Sequence, residues 1–188
     1  LFFIKKATPQ KFTVIGAGSN ILIRDGGIKG ITIKLSSTFS YARLDSKCVI
    51  EVGAATLDKR AANFAKENSL TGLEFLACIP GSIGGAVRMN TGCYGCDISQ
   101  ILHSVKVIDM QGNLKEISVK DIKFSYRSTN LDENFLITSV KLKGKECLKQ
   151  KIEDKQKLMV EKKKILNQVK LKHVEALLRT QKIERPGN

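Results

Sequence analysis

The sequence predicts an α+β fold in which short strands are grouped around two glycine-rich turns. Several short segments show the apolar alternation of strands, residues 56–68 have helical spacing, and glycines cluster in residues 16–18 and 81–85. The chain of 188 residues is long enough to form one domain with a hydrophobic core.

The strand pattern occurs along most of the chain. Residues 14–15 and 21–23 are predicted to be two strands joined by a tight turn at residues 16–20. Residues 111–113, Gln-Gly-Asn, are predicted to form a hairpin turn between two of the later strands. The further predicted strands are residues 30–35, 48–52, 105–109, 114–119 and 136–142.

Two segments are predicted to be helices. Residues 56–68 place Leu57, Ala61, Phe64 and Ala65 on one face, and Thr56 is the candidate N-cap. Residues 147–164 form a basic segment whose apolar side carries Leu148, Ile152, Leu158 and Met159.

The composition indicates a globular protein with a basic surface. The net charge is +14, from 32 Lys and Arg against 18 Asp and Glu, and the excess is weighted to residues 162–188, where eight Lys and Arg stand against two Glu. A non-catalytic basic binding module is therefore an alternative reading, although no aromatic residues alternate with the lysines as they do in single-strand nucleic-acid sites. We expect no nucleic-acid partner and no membrane association, since no apolar run approaches about 18 residues.

The cysteines indicate a reducing compartment. Their number is five, and no secretory signal opens the sequence, so a disulfide scaffold is not expected and the cytoplasm is the predicted location. Cys93 and Cys96 form a CxxC motif without a second ligand pair, so we interpret them as incidental thiols and expect no metal.

Both glycine turns are candidate anion sites. Residues 16–20, Gly-Ala-Gly-Ser-Asn, do not match the GxGxxG fingerprint of dinucleotide folds, because no Gly lies three residues after Gly18. Glycines nevertheless allow successive backbone N–H groups to surround an anion, and residues 80–85 offer a second such nest. Two nests in one small domain favour a ligand with two phosphates.

Three segments carry a resemblance to a known family. Residues 14–27, residues 72–95 with the core IPGSIGGA, and residues 124–129, Phe-Ser-Tyr-Arg-Ser-Thr, resemble in order and spacing the signatures of the UDP-N-acetylenolpyruvoylglucosamine reductases, usually called the MurB family. The resemblance extends to about residue 164 and implies the FAD-binding fold of vanillyl-alcohol oxidase and p-cresol methylhydroxylase.

The resemblance also implies a cofactor and a reaction. FAD would bind non-covalently, NADPH would reduce it, and the hydride would pass to a UDP-sugar, UDP-N-acetylglucosamine enolpyruvate, in peptidoglycan synthesis. The family's catalytic arginine maps to Arg127, where a guanidinium that cannot lose its charge would stabilise the carboxylate of the substrate. The residues that the resemblance assigns to FAD are Gly16, Ala17, Gly18, Ser19, Asn20, Pro80, Gly81, Ser82, Gly84 and Gly85.

The sequence departs from the family at both ends. We expect residues to precede Leu1, and neither the family's serine proton donor nor its C-terminal substrate domain with a catalytic glutamate has a counterpart here. These departures predict that the chain lacks reductase activity. The expected division is residues 1–144 as an N-terminally incomplete FAD-binding domain, 145–164 as a basic helix and 165–188 as a tail outside the core.

A frameshift is a further hypothesis for the tail, residues 165–188. Codons for the family's Gly-Ser-Thr-Phe-Lys-Asn-Pro segment, read one base out of frame, can give the residues found at 175–180, which suggests a frameshift near Lys162–Lys164. The competing reading of the tail is a genuine basic helix. The competing reading of the whole chain, besides the basic module, is a different FAD oxidase of the same fold.

Overall fold

The computed structural model describes the backbone of residues 12–183 and the side chains of residues 12–169. The strands found there are short, and several contain two residues. In chain order they are β1 Phe12–Ile15, β2 Ile31–Lys34, β3 Ala42–Ser46, β4 Val49–Gly53, β5 Leu70–Thr71, β6 Gly92–Cys93, β7 Cys96–Asp97, β8 Leu102–Ile108, β9 Leu114–Ser118, β10 Phe124–Ser125, β11 Ser128–Thr129, β12 Leu136–Lys143 and β13 Lys145–Glu146.

Three α-helices lie between these strands or follow them. They are α1 Asp58–Glu67, α2 Ile83–Arg88 and α3 Lys149–Ile183. Single turns of 3₁₀ helix occupy Ser37–Phe39, Glu74–Cys78, Ile98–Gln100 and Val119–Asp121.

The centre of the fold is a five-stranded antiparallel sheet with the order β3-β4-β12-β8-β9. Strands β4 and β12 pair although more than 80 residues separate them, with Val52 opposite Val140 and Ile50 opposite Leu142. The 3₁₀ turn Glu74–Cys78 packs against α1 and α3, and its Phe75 and Leu76 are buried. Most of the buried apolar residues of β4, β8, β12, α1 and α2 belong to one core cluster.

A charged group inside the sheet is fully paired. Glu51 on β4 accepts hydrogen bonds from Arg43 Nη2 at 2.6 Å, Lys106 Nζ at 3.1 Å and Ser139 Oγ at 3.0 Å. Burial works to raise the pKa of Glu51, but these three donors outweigh it and hold the pKa at about 2. Glu51 therefore stays ionised and links four consecutive strands of the sheet, β3, β4, β12 and β8.

The first glycine turn leads out of a separate two-stranded sheet. Strand β1 pairs in parallel with β2, and Ile15 lies opposite Lys34. The predicted strand at residues 21–23 is wrong, because these residues form an exposed loop in which Leu22 is 95% exposed. The strand that pairs with β1 is thus the next apolar segment, β2, and the loop between them serves as the crossover.

Helix α1 begins later than its candidate cap predicts. The N-cap residue is Leu57, and Thr56 is buried with its hydroxyl donating to the carbonyl oxygen of Tyr41 at 2.9 Å. The interpretation of Thr56 as the N-cap is therefore wrong. Its hydroxyl instead links the segment before α1 to the segment before β3 by a hydrogen bond. This bond helps to position the start of the helix beside the second glycine turn.

The hairpin predicted at residues 111–113 is present. Strands β8 and β9 pair across it, Gly112 has a φ of 77°, and the Asp109 carboxylate accepts hydrogen bonds from the N–H groups of Gln111 and Asn113. The glycine is required at this position because the left-handed region disfavours residues with a Cβ.

Helix α3 packs on the domain through its first half. Ile152 is buried and Met159 packs against the core, whereas Leu148 and Leu158, predicted on the same side, are 69% and 52% exposed. The helix continues without a break through residue 164. Ile165, Leu166 and Val169 are each more than half exposed. Residues 185–188 of the predicted frayed end lie outside the described residues.

None of the helices in residues 12–183 combines the length and the apolar character that crossing a membrane requires.

Candidate functional site

The two glycine turns meet in space, although more than 60 residues separate them in the sequence. The hydroxyl of Ser19 donates to the carbonyl oxygen of Pro80 at 2.5 Å. A Cβ placed on Gly16 would stand 2.5 Å from Ser82 Oγ, so any other residue at position 16 would require the Ser82 hydroxyl to move. The two nests predicted from the sequence therefore lie side by side.

Local backbone geometry holds each turn in place. Gly18 has a φ of 80°, which the turn after β1 uses to reverse direction. The second turn is bound to the start of α1 by an isolated antiparallel bridge between Leu57 and Ser82. In that bridge the Asp58 N–H donates to the Gly81 oxygen at 3.1 Å, and the Ile83 N–H donates to the Thr56 oxygen at 2.9 Å.

Two cavities of about 310 and 330 Å³ border the turns. The first is mostly apolar and extends toward Leu35, Phe135 and Ile137. The second extends toward Asp58, Met89 and Arg127. Because six residues line both, the cavities form one continuous cleft; the shared residues are Val14, Gly16, Ala17, Ser82, Gly85 and Arg88.

All ten of the predicted cofactor residues line this cleft. Nine of them border the second cavity. Gly84 is the exception and borders the first. Its N–H donates to the Ala54 oxygen at 2.9 Å, so this amide serves the fold rather than a ligand. The structure thus brings the predicted residues together, and their role in cofactor binding stays a prediction.

The second turn offers unused backbone donors. Among the described residues, the N–H groups of Gly81, Ser82 and Gly85 donate to no backbone carbonyl, in contrast to Ile83, Gly84 and Ala86. Gly85 is exposed, and a Cβ placed on it would meet only Ser82 Oγ, at 3.9 Å. A turn that is open to the cavity and has free N–H donors is suited to bind a diphosphate, because the phosphate oxygens accept hydrogen bonds from a nest of this kind.

Arg127 stands at the edge of the same cleft. It is the second residue of the two-residue turn between β10 and β11 and lines the second cavity with residues of both glycine turns. Its φ of 57° lies in the left-handed region, where a non-glycine residue is uncommon and often occurs at functional sites. Arg127 is exposed, so its guanidinium is accessible from the cleft. The catalytic role assigned by resemblance stays a prediction.

Two charged residues of the cleft were not predicted from sequence. Arg88, at the end of α2, donates to the carbonyl oxygens of Leu131 and Asp132 at 2.8 Å and of Phe135 at 2.6 Å. Burial lowers the pKa of Arg88. It fixes the segment before β12 against the cleft and adds a positive charge near it. The one sequence feature that could have indicated Arg88 is its position close to the second glycine motif. An arginine on a helix is ordinarily solvent-exposed, so its burial was not expected.

Asp58 is the second of these residues. It is the first residue of α1 and is 1% exposed, yet both carboxylate oxygens have no hydrogen-bond partner in the described part of the chain. Burial raises the pKa of Asp58 to about 7. In the sequence Asp58 resembles any acidic residue in a first helical turn, so its burial could not be inferred.

The CxxC cysteines lie beside the site without forming a reactive centre. Cys93 and Cys96 pair across the β6–β7 hairpin, and the Cys93 thiol donates to the carbonyl oxygen of Phe75 at 3.5 Å. Burial raises the pKa of the Cys93 thiol to about 11 and also raises the pKa of Cys78. A thiol with a raised pKa is a weak nucleophile at neutral pH, which supports the interpretation of Cys93 as incidental.

The chain that forms this cleft is similar to several known proteins. The FAD binding domain family matches residues 4–118 of the chain. The UDP-N-acetylenolpyruvoylglucosamine reductase of Pelagibacter ubique (strain HTCC1062) is 39% identical over 172 residues, which are 92% of this chain and 57% of the relative. The protein of the same name from Gluconobacter oxydans (strain 621H) is 43% identical over 77% of this chain and 47% of its own length. The chain spans about half the length of the curated relatives it matches.

Solved structures support the same relationship. The UDP-N-acetylenolpyruvylglucosamine reductase (MurB) of Thermus caldophilus matches 86% of this chain and 59% of its own, with a TM-score of 0.76 and 32% identity. A carbon monoxide dehydrogenase of Hydrogenophaga pseudoflava matches 71% of this chain and 52% of its own, with a TM-score of 0.55 and 12% identity, which is a likeness of fold alone.

The predicted α+β FAD-binding fold is therefore confirmed. Both glycine turns, and the free N–H groups of the second turn, lie within the residues that the family matches, which are more than half of the chain. This chain belongs to the FAD binding domain family, in which it is similar to the UDP-N-acetylenolpyruvoylglucosamine reductases.

Proposed function

We propose that this chain is the FAD-binding part of an NADPH-dependent reductase that converts UDP-N-acetylglucosamine enolpyruvate to UDP-N-acetylmuramate. The observation that carries the proposal is the meeting of residues 16–20 and 80–85 at one cleft, with Arg127 at its edge. The 32% identity with the MurB structure supports the choice of substrate. We also place the chain in the cytoplasm, where its free cysteines would stay reduced.

The two glycine turns would hold the diphosphate of FAD. The free N–H groups of Gly81, Ser82 and Gly85 supply donors on one side, and the turn at residues 16–20 borders the same cavity on the other. The apolar first cavity, with Leu35, Phe135 and Ile137, would exclude water from the cofactor. When FAD is bound, its flavin supplies the hydride-transfer chemistry.

Arg127 would stabilise negative charge on the substrate. Its guanidinium stays protonated at any physiological pH and can bind a carboxylate through two parallel hydrogen bonds. The tight β10–β11 turn limits the positions of its backbone, so the charge is presented at a defined edge of the cleft. A charge held in place before the reaction stabilises the transition state without reorganisation.

A polypeptide of these 188 residues would bind the cofactor but not turn over the substrate. No residue in the sequence can be assigned the proton-donating serine or the catalytic glutamate that the family resemblance implies. Removal of one general acid costs about 10²- to 10⁴-fold in rate, and loss of substrate positioning adds to this. We propose residues 1–144 as the cofactor domain, 145–164 as a segment whose helical part, from Lys149 onward, packs against it, and 165–188 as a segment outside its core.

The cofactor proposal is tested by titrating purified apo-chain with FAD, FMN and riboflavin while following flavin fluorescence. We expect saturable binding that is tightest for FAD, because FMN has one phosphate and riboflavin has none for the two turns to hold. Equal affinity for FAD and riboflavin would contradict the proposed role of the turns. Absence of all binding would contradict the cofactor assignment. NADPH-dependent turnover by the same protein would contradict the proposed lack of catalysis.

A further inference from the structure

Asp58 is a buried acid that lies against the second glycine turn and has no role in the proposed reaction. Asp58 is 1% exposed, and its two carboxylate oxygens have no hydrogen-bond partner within the described residues. Ionisation of an unpaired acid in such a place is strongly unfavourable, because the charge loses its hydration and gains no partner. The acid is therefore expected either to hold a proton or to have a partner that the chain itself does not supply.

Asp58 borders the region assigned to the cofactor diphosphate. Asp58 lines the second cavity together with Ser19 and Gly81. Its Oδ2 stands 2.8 Å from the position that a Cβ on Gly81 would occupy, so the glycine lets the turn lie directly on the acid. The Asp58 N–H also donates to the Gly81 oxygen, which fixes the carboxyl relative to the turn.

We propose that Asp58 is a further cofactor-binding residue, which as a neutral carboxylic acid donates a hydrogen bond to the FAD diphosphate, so that FAD binding is accompanied by proton uptake. The inference rests on the proposed function of the cleft. The diphosphate carries negative charge, so an ionised carboxylate beside it would be repelled, whereas a protonated one supplies a strong O–H donor to a phosphate oxygen.

The surroundings of Asp58 favour the neutral form. Burial raises its pKa to about 7, and no charged neighbour contributes to the shift. Arg88 and Arg127 line the same cavity, but Arg88 is bound to three backbone carbonyls and neither arginine pairs with Asp58. The described ionisable groups of α1 and of the elements packed against it likewise form no pair with Asp58. They are Lys59, Arg60, Lys66 and Glu67 on α1, Glu74 and Cys78 in the 3₁₀ turn, and Lys149, Lys151, Glu153, Asp154, Lys155, Lys157, Glu161, Lys162, Lys163 and Lys164 on α3.

The sign of the pH effect follows from this arrangement. Below pH 7 the free chain already carries the proton on Asp58, so the affinity for FAD does not change with pH. Above pH 7 the proton must be taken up on binding, and the dissociation constant rises by up to about tenfold for each pH unit while the bound acid stays protonated.

The test is the dissociation constant of FAD between pH 5.5 and 9, measured by fluorescence titration for the unmodified chain, Asp58→Asn and the control Asp121→Asn. Asparagine keeps the shape and supplies an N–H donor that does not titrate, so we expect Asp58→Asn to bind with nearly constant affinity. Asp121 is exposed and lines neither cavity, so its variant should keep the original pH dependence. An Asp58→Asn profile parallel to that of the unmodified chain would overturn the proposal.

A second measurement does not depend on the variant folding. Calorimetric titration of the unmodified chain with FAD at pH 8, in buffers of different ionisation enthalpy, should reveal uptake approaching one proton per FAD. Uptake near zero would overturn the role of Asp58 while leaving the cofactor assignment intact. Absence of FAD binding at every pH would instead contradict the proposed function, and the inference about Asp58 with it.

Discussion

Replacement of Gly85 by alanine separates cofactor binding from stability. Gly85 lies inside α2, and a Cβ there would meet nothing closer than Ser82 Oγ at 3.9 Å. Alanine is favoured over glycine inside a helix by about 0.5–1 kcal/mol, so Gly85→Ala is expected to raise the free energy of unfolding by about that amount.

The same methyl group would project into the cleft. Gly85 borders both cavities, where the proposed diphosphate needs close approach to the backbone. An extra methyl in a packed contact costs about 1–3 kcal/mol, which corresponds to a dissociation constant for FAD that is about 5- to 150-fold higher. The variant should therefore be more stable than the unmodified chain and bind FAD more weakly.

Urea unfolding and FAD titration on the same preparations measure both effects. Gly26→Ala is the matched control, because a Cβ on Gly26 meets nothing within 4 Å and Gly26 lines neither cavity. This control should bind FAD as the unmodified chain does. The reasoning is refuted if Gly85→Ala folds and binds FAD as tightly as the control.

Three further predictions concern stability. Glu51 is paired in the folded chain and has a pKa of about 2 against an ordinary 4.5, so its contribution to stability is present above pH 4.5 and is lost as the pH falls toward 2. Glu51→Gln should therefore lower the free energy of unfolding at pH 7 and reduce its fall at acidic pH, as measured by urea titrations. An unchanged dependence on acidic pH would contradict this. Arg127 has a φ of 57°, so Arg127→Gly should be about 1 kcal/mol more stable than Arg127→Ala, and equal stability would mean that the turn is not strained. Ile152→Ala should cost about 2–4 kcal/mol and the exposed Leu166→Ala less than about 0.5 kcal/mol, whereas similar costs in thermal unfolding would place the later part of α3 in the core.

The local elements could be predicted from sequence because their signals are local. The strands near residues 105–109, 114–119 and 136–142 and the hairpin at Gly112 follow from apolar alternation and turn chemistry. The strand expected at residues 21–23 failed for the opposite reason. An apolar triplet forms a strand only where a partner edge is available, and β1 pairs with β2 instead.

Features that depend on contacts between distant segments could not be predicted from local sequence patterns. The pairing of β4 with β12 depends on tertiary packing between segments more than 80 residues apart. The glycine content indicated both turns, and the resemblance to a family indicated Arg127; the structure places them around one cleft. It did not indicate Asp58 or Arg88, because burial of a charged side chain depends on which elements cover it and not on its neighbours in sequence.

The central claim is that the two glycine turns together hold the diphosphate of FAD. A crystal structure of the 188-residue chain with FAD tests it most directly. We predict that the diphosphate lies between residues 16–20 and 80–85, within hydrogen-bonding distance of the N–H groups of Gly81, Ser82 and Gly85. A diphosphate bound outside the cleft, or in contact with only one of the two turns, would contradict the claim.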